Sequence, residues 1–238
     1  MERPFRTAAP FYARYRPAYP PELIELLALA TNVNESARVL DLGCGPGSIA
    51  IPLAAYAGEV VAVDAEPEMI GELRRSAPTN VTPVEARAED VDKSWGSFQL
   101  ATAGRSFHWF DAPRVLNRLT AVTDVLALVG DRMRQSEAQT RVLEIAAELI
   151  EGPRPERSRA RYADILRSSP YSKIAVLSVE TERSWTPDEL IGMAYSTAVA
   201  SPERLGERRL EFEERVRQEL EPGYHEHVTV HAVVGRRA

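Results

Sequence analysis

Asp41, Gly43, Gly45, Gly47 and Asp64 are the residues of this chain whose types and spacing could do chemistry together. In Arg38-Val-Leu-Asp-Leu-Gly-Cys-Gly-Pro-Gly47 a short apolar run enters a loop that is nearly free of side chains. Glycine is needed where backbone turns sharply or approaches a ligand closely. A second apolar run, Glu59-Val-Val-Ala-Val-Asp64, ends on a carboxylate about 20 positions after Gly43, the separation at which a Rossmann-type site offers an acid to a ribose diol. An adenosine-bearing cofactor is the inference. The loop spacing is G-x-G-x-G, whereas a dinucleotide site uses G-x-G-x-x-G. Asp41, just before the loop, would repel the pyrophosphate that a helix N-terminus attracts. An acid there suits a cation instead, either an amino-acid ammonium or a sulfonium. Cys44 lies inside the loop and reads as small buried filler rather than as a nucleophile.

The elements that must position these residues follow from the apolar pattern. Val39, Leu40 and Leu42 read as a buried parallel strand, and Ser48 to Ala57 as the next helix, with Pro52 near its first turn where a missing N–H does least harm. The strand ending at Asp64 is followed by a helix opened by Glu66-Pro67 and running through Arg75, so that Ala65 and Met69 fall beside the ribose acid. Val81 to Ala86 reads as a third strand. Ala88-Glu89-Asp90 follows, where an acid can accept from an adenine amino group or cap a helix. Phe98 to Gly104 is a fourth strand, and it delivers Arg105-Ser-Phe-His-Trp-Phe-Asp111. Ligands of open α/β sheets bind beyond the carboxyl ends of the strands, so cofactor and substrate should meet at this aromatic block.

Val-Leu-Asp-Leu-Gly-Cys-Gly-Pro-Gly, with Asp64 behind it, resembles the first motif of class I S-adenosylmethionine-dependent methyltransferases. The Phe-His-Trp-Phe segment is similar to that of a small-molecule branch that includes trans-aconitate methyltransferase-like enzymes. The resemblance implies an α/β Rossmann-like sheet of seven strands, the last antiparallel, with helical insertions after strand five forming a cap. It implies S-adenosylmethionine as cofactor and S-adenosylhomocysteine as product. It also implies cofactor contacts from the loop, Asp64, Ala65, Met69, Ala88, Glu89, Asp90, Gly104 and Arg105. Relatives often carry a Tyr-x-x-Tyr-Arg-Pro-x-Tyr-Pro segment over the cofactor, and here Tyr12, Tyr15, Arg16 and Tyr19 stand in that pattern. Aromatic faces attract a sulfonium, and an arginine pairs a carboxylate. Tyr15 and Arg16 are the cofactor contacts of this segment, and Tyr12 and Tyr19 belong to the acceptor side with Phe107, His108 and Trp109. Two departures stand out: Gln99 occupies a position where many relatives have Asp, and Ala121-Val-Thr-Asp124 replaces a Pro-Gly-Gly turn.

His108 suits general-base work, with an ordinary pKa of about 6.5; packing between Phe107 and Trp109 is the competing role. Asp111 orients it or caps the following helix. His225, His227 and His231 share one face of the last strand, a pattern that can bind zinc, but no cysteine or carboxylate set accompanies them, and no metal is expected.

The chain has 238 residues, 44% of them hydrophobic, with a net charge of −6. That charge argues against nucleic acid as a partner, which needs a basic face. One cysteine supports no disulfide framework and fits a reducing cytoplasm. No leader or membrane span is expected. Beyond Asp131 a helix is expected at 140–151, a linker at 152–157, a helix at 160–167, a strand at 174–182, helices at 187–197 and 202–220, and a final strand at 227–234. These helices carry Tyr195, read as an acceptor contact. Three segments result: an N-terminal lid segment and helix (1–34), a cofactor core (35–134) and a substrate side (135–238). A small-molecule methyltransferase of bacterial specialised metabolism, acting as monomer or homodimer, is the function expected. A cofactor-binding accessory protein and an NAD-dependent oxidoreductase are the alternatives.

Overall fold

A computed structural model describes residues 7–131, 137–150, 161–220 and 223–238. Seven strands form one sheet: β1 (Arg38–Leu42), β2 (Glu59–Asp64), β3 (Val81–Glu85), β4 (Leu100–Gly104), β5 (Val125–Asp131), β6 (Lys173–Trp185) and β7 (Tyr224–Arg236). Their order is β3-β2-β1-β4-β5-β7-β6. The first five pair in parallel, and β7 runs antiparallel to β5, as expected for the last strand. The helices are α1 (Ala9–Tyr15), α2 (Pro21–Ala30), α3 (Ala50–Leu53), α4 (Pro67–Ser76), α5 (Ala112–Leu119), α6 (Glu137–Leu149), α7 (Tyr162–Arg167), α8 (Pro187–Tyr195), α9 (Pro202–Leu205) and α10 (Arg209–Glu219).

The chain divides into two compact units, each assembled from separated stretches. The core unit holds 18–131, 161–179 and 229–238 of the described residues. Its central strands are buried on both faces, which accounts for their continuous apolar runs. Leu40, Leu42, Ala101, Ala103, Leu126 and Leu128 pack with Val115, Leu116 and Leu119 of α5 and with Tyr171. Pro83 lies in β3, an edge strand, where a residue without an N–H is tolerated.

The second unit holds 7–17, 137–150, 180–220 and 223–228. Val142, Ile145 and Ala146 of α6 pack with Leu190 and Ala194 of α8 and with Phe212 and Val216 of α10. On its exposed side Arg141 pairs with Glu148 at 3.1 Å and Glu219 at 2.6 Å. α1 packs with an element far along the chain: the Tyr15 ring occupies the space a side chain at Gly192 would fill.

Several element boundaries differ from expectation. The helix expected at 48–57 is only four residues long, because the loop still turns at Gly47 and the chain runs on in turns from Ala54. The helix expected at 202–220 breaks at Gly206, with φ of +52°. α1 was not expected from the sequence, and β6 and β7 both extend beyond their expected ends. The linker at 152–157 and the end of the helix at residue 151 lie outside the described residues. None of the described helices is long and apolar enough to cross a membrane.

Candidate active site

β1 ends at Leu42, and the backbone then passes through positive φ at Gly43 (+60°), Gly45 (+55°) and Gly47 (+97°). The protein's own packing already demands glycine at the first and third of these. A Cβ at Gly43 would stand 2.5 Å from Ser106 Cβ, and one at Gly47 would stand 2.6 Å from Leu73 Cδ1. Three strand ends hold the loop. The Cys44 N–H donates to the Val63 carbonyl at 3.0 Å, the Gly45 N–H donates to Asp64 Oδ2 at 2.8 Å, and the Ser106 hydroxyl donates to the Leu42 carbonyl at 2.9 Å.

Asp64 Oδ1 also accepts the Glu66 N–H at 2.9 Å. Each carboxylate oxygen keeps a further acceptor position, so the two ribose hydroxyls of a nucleoside are compatible with these bonds. Burial pushes the Asp64 carboxyl above its ordinary range, while the backbone N–H groups pull it back. Asp41 is 1% exposed. It does not stand open to solvent as a simple cation attractor. Its Oδ1 accepts from the Thr102 hydroxyl at 2.7 Å and its Oδ2 accepts the Ala50 N–H at 3.1 Å. Burial raises it to about 7, against lowering by the Thr102 and Ala50 hydrogen bonds. The Cys44 thiol is pushed well up by burial and by both acids, which removes it as a nucleophile.

The Asp41 titration has a consequence for stability. A carboxyl whose folded value lies near 7 and whose unfolded value lies near 3.9 binds its proton better in the fold, so its contribution is full below about pH 4 and is lost as pH rises through about 7. The Asp41→Asn variant does not titrate there. Its stability relative to wild type should rise steadily between about pH 4 and 7 and then level, a change on the order of 4 kcal/mol. Thermal denaturation at several pH values checks this.

β4 ends at Gly104, where an added Cβ would meet Ile49 and the Tyr19 hydroxyl. Arg105 follows with φ of +53°, a left-handed conformation unusual for a side-chain-bearing residue. Its guanidinium lies 4.4 Å from the centre of the buried Tyr19 ring. The turn Phe107–Trp109 comes next. Phe107 is buried against Phe110 and Tyr162, His108 lies 5.1 Å from the Trp109 ring centre, and Trp109 is 39% exposed. Glu89, itself buried, accepts the Asp111 N–H at 2.9 Å and pairs with Arg87 at 3.3 Å, so one acid joins the loop after β3 to the end of the aromatic turn. Asp90 is exposed. Asp111 caps α5 through Arg114 N–H at 3.3 Å.

A family of methyltransferase domains matches residues 39–130. A Mycobacterium bovis protein named an uncharacterised methyltransferase is 30% identical over 225 residues, spanning 92% of this chain and 86% of that one. The chain belongs to the class I S-adenosylmethionine-dependent methyltransferases. The structure of a candidate type II methyltransferase from Anaeromyxobacter dehalogenans shares the methyltransferase's fold, with a TM-score of 0.60 at 23% identity, covering 93% of this chain and 98% of that one. A 23S rRNA (uracil-C5) methyltransferase of Methylococcus capsulatus is 34% identical over only 90 residues, 37% of this chain and 19% of that one.

Within the methyltransferase core, the glycine loop, Asp41, Asp64, Gly104, Arg105 and the aromatic turn converge at the carboxyl ends of β1, β2 and β4. Ala65 is exposed at the end of β2, and Met69 is buried in α4. Tyr12, Tyr15, Arg16 and Tyr195 belong to the second unit. There the Arg16 guanidinium lies over Tyr12 at 5.2 Å, and its buried Nε has no hydrogen-bond partner among the described residues. Tyr195, expected as an acceptor contact, is 2% exposed in that unit's apolar core, with Phe11 at 5.0 Å and its hydroxyl bonded to Glu213 at 2.8 Å.

The two departures from the motif have local explanations. Gln99 donates to the Thr31 carbonyl at 2.9 Å, and Thr123 accepts the buried Tyr171 hydroxyl at 3.0 Å through its carbonyl. His225 and His231 bond Ser184 and Ser178 across to β6, and His227 lies 3.5 Å from Glu182. Among the described residues no group of three His, Cys, Asp or Glu side chains could hold a metal ion. Thr102 and Ser106 were missed by sequence reasoning. Thr102 had left a signal as the one hydroxyl in the apolar run Leu100–Gly104.

Proposed function

We propose that this methyltransferase carries the methyl group of S-adenosylmethionine to an oxygen or nitrogen of a small molecule, in bacterial specialised metabolism. The observation that carries the reading is the aromatic turn Phe107–Trp109, anchored beside the glycine loop through Ser106 and Phe110. S-adenosylmethionine supplies an electrophilic methyl carbon on a sulfonium. Asp64 accepts the ribose hydroxyls, and the Gly43–Gly47 backbone lies against the amino-acid portion, with Asp41 beneath it. Ala65 and Met69 flank the ribose. Ala88 and Glu89 or Asp90 serve the adenine, and Gly104 and Arg105 close the β4 side. The second unit carries Tyr15 and Arg16, an aromatic face of the kind that attracts a sulfonium and a guanidinium of the kind that pairs a carboxylate.

Phe107 and Trp109 exclude water from the acceptor, alongside Tyr19, and Tyr12 is the second unit's aromatic candidate for the acceptor. His108 takes the proton of a hydroxyl or ammonium acceptor at a ring nitrogen, whereas a carboxylate acceptor requires no base. Positioning supplies much of the acceleration, up to about 7–11 kcal/mol. The net charge of −6 supports a small acceptor over RNA.

The test offers isotopically labelled S-adenosylmethionine with a panel of small phenols, carboxylates and amines, and separately with total RNA. Label in a small-molecule product, with equimolar S-adenosylhomocysteine, is the expected result. Label in RNA, or none in any acceptor despite bound cofactor, would overturn the proposal, the latter in favour of an accessory role. Tighter binding of NADH than of S-adenosylmethionine would point to the oxidoreductase alternative.

A further inference from the structure

Thr102 sits in the middle of β4 with no exposure, in register opposite Asp41 of β1. Its hydroxyl donates to one Asp41 oxygen at 2.7 Å, and the other oxygen accepts the Ala50 N–H at 3.1 Å. Ala50 is the first residue of α3, where the chain leaves the glycine loop. The three residues therefore form a bridge from the centre of the sheet, under the loop, to its exit. A carboxylate free to turn about its Cβ–Cγ bond needs a second contact to hold one orientation, and in a buried site that contact must be a hydrogen-bond donor.

We propose that Thr102 is a positioning residue for the cofactor loop, holding the Asp41 carboxylate turned so that its far oxygen grips the Ala50 N–H. The proposal rests on the reading that this loop carries the cofactor. Donation from Thr102 favours the ionised carboxylate, the form that accepts at both oxygens and complements a cationic ligand. The titratable groups facing Asp41 are Asp64 at the end of β2, which opposes its ionisation, and the Cys44 thiol in the loop.

Thr102→Val keeps the branched shape and removes the hydroxyl, and Thr102→Ser restores it. The experiment titrates S-adenosylmethionine calorimetrically into wild type, both variants and Asp41→Asn between pH 5.5 and 7.5, below the range where the ligand's α-ammonium titrates (about 7.7–8.0). Wild type and Thr102→Ser should tighten as pH rises toward 7, and Asp41→Asn should lose that dependence. Thr102→Val should show the rise displaced upward by about one pH unit, leaving it about fivefold weaker at pH 7. A Thr102→Val dissociation constant equal to wild type, or weakened evenly across the range with Thr102→Ser no better, overturns the positioning role. Absence of binding by wild type itself would instead sink the cofactor reading of the loop. If Thr102→Val does not fold, Thr102→Ala carries the same comparison.

Discussion

Gly47→Ala should cost the protein both stability and cofactor. The backbone there has φ of +97°, which a side-chain-bearing residue resists by about 1–2 kcal/mol. The new methyl would meet Leu73 Cδ1 at 2.6 Å and Ile51 Cγ1 at 2.8 Å, and Leu73 is fully buried in α4. Overpacking of this kind costs about 1–3 kcal/mol more. A loss of roughly 2–5 kcal/mol in all corresponds to a melting temperature lower by roughly 5–15 °C in a domain of this size. Thermal denaturation followed by circular dichroism measures it. S-adenosylmethionine affinity should drop at least about tenfold, because relief of the clash requires the loop to move. The glycine is thus demanded from beneath by the helix, in addition to any close approach from the ligand side.

Asp64→Ala has the largest effect expected on cofactor binding. Two ribose hydroxyls donating to a carboxylate represent about 1.5–3 kcal/mol each, so their joint loss weakens binding about a hundredfold or more. The substitution also strips the Gly45 and Glu66 N–H groups of their acceptor, loosening the loop that the nucleoside rests on. Asp64→Asn keeps one acceptor oxygen and should fall between wild type and alanine. Calorimetric titration with S-adenosylhomocysteine, on variants shown to be folded, separates the effects. An unchanged dissociation constant in Asp64→Ala would contradict the assignment of this acid to the ribose.

What could be read in the sequence was whatever local pattern determines. Continuous apolar runs marked β1 and β2 as strands, and glycines flanked by Asp41 and Asp64 marked the loop. The aromatic block lies at the end of β4 because strand direction alone delivers it there. What could not be read depends on partners distant in the chain. Tyr195, the last residue of α8, packs against Phe11 and Phe212, neighbours that helical periodicity does not reveal because it does not say which face meets which. Gly192 is small because a ring nearly the whole chain away lies on it. Asp41 was legible as an acid beside the loop, yet its partners on β4 and α3 became visible only when strand register brought Thr102 opposite. The break at Gly206 carries no clear warning in the sequence, because one glycine within a helical pattern is tolerated.

The account depends on where the nucleoside lies. A crystal structure with S-adenosylhomocysteine bound tests it most directly. It should find both ribose hydroxyls within about 3 Å of the Asp64 carboxylate oxygens, with the amino-acid tail along Gly43–Gly47. A nucleoside bound elsewhere, with Asp64 still engaged by Gly45 and Glu66 alone, would contradict it.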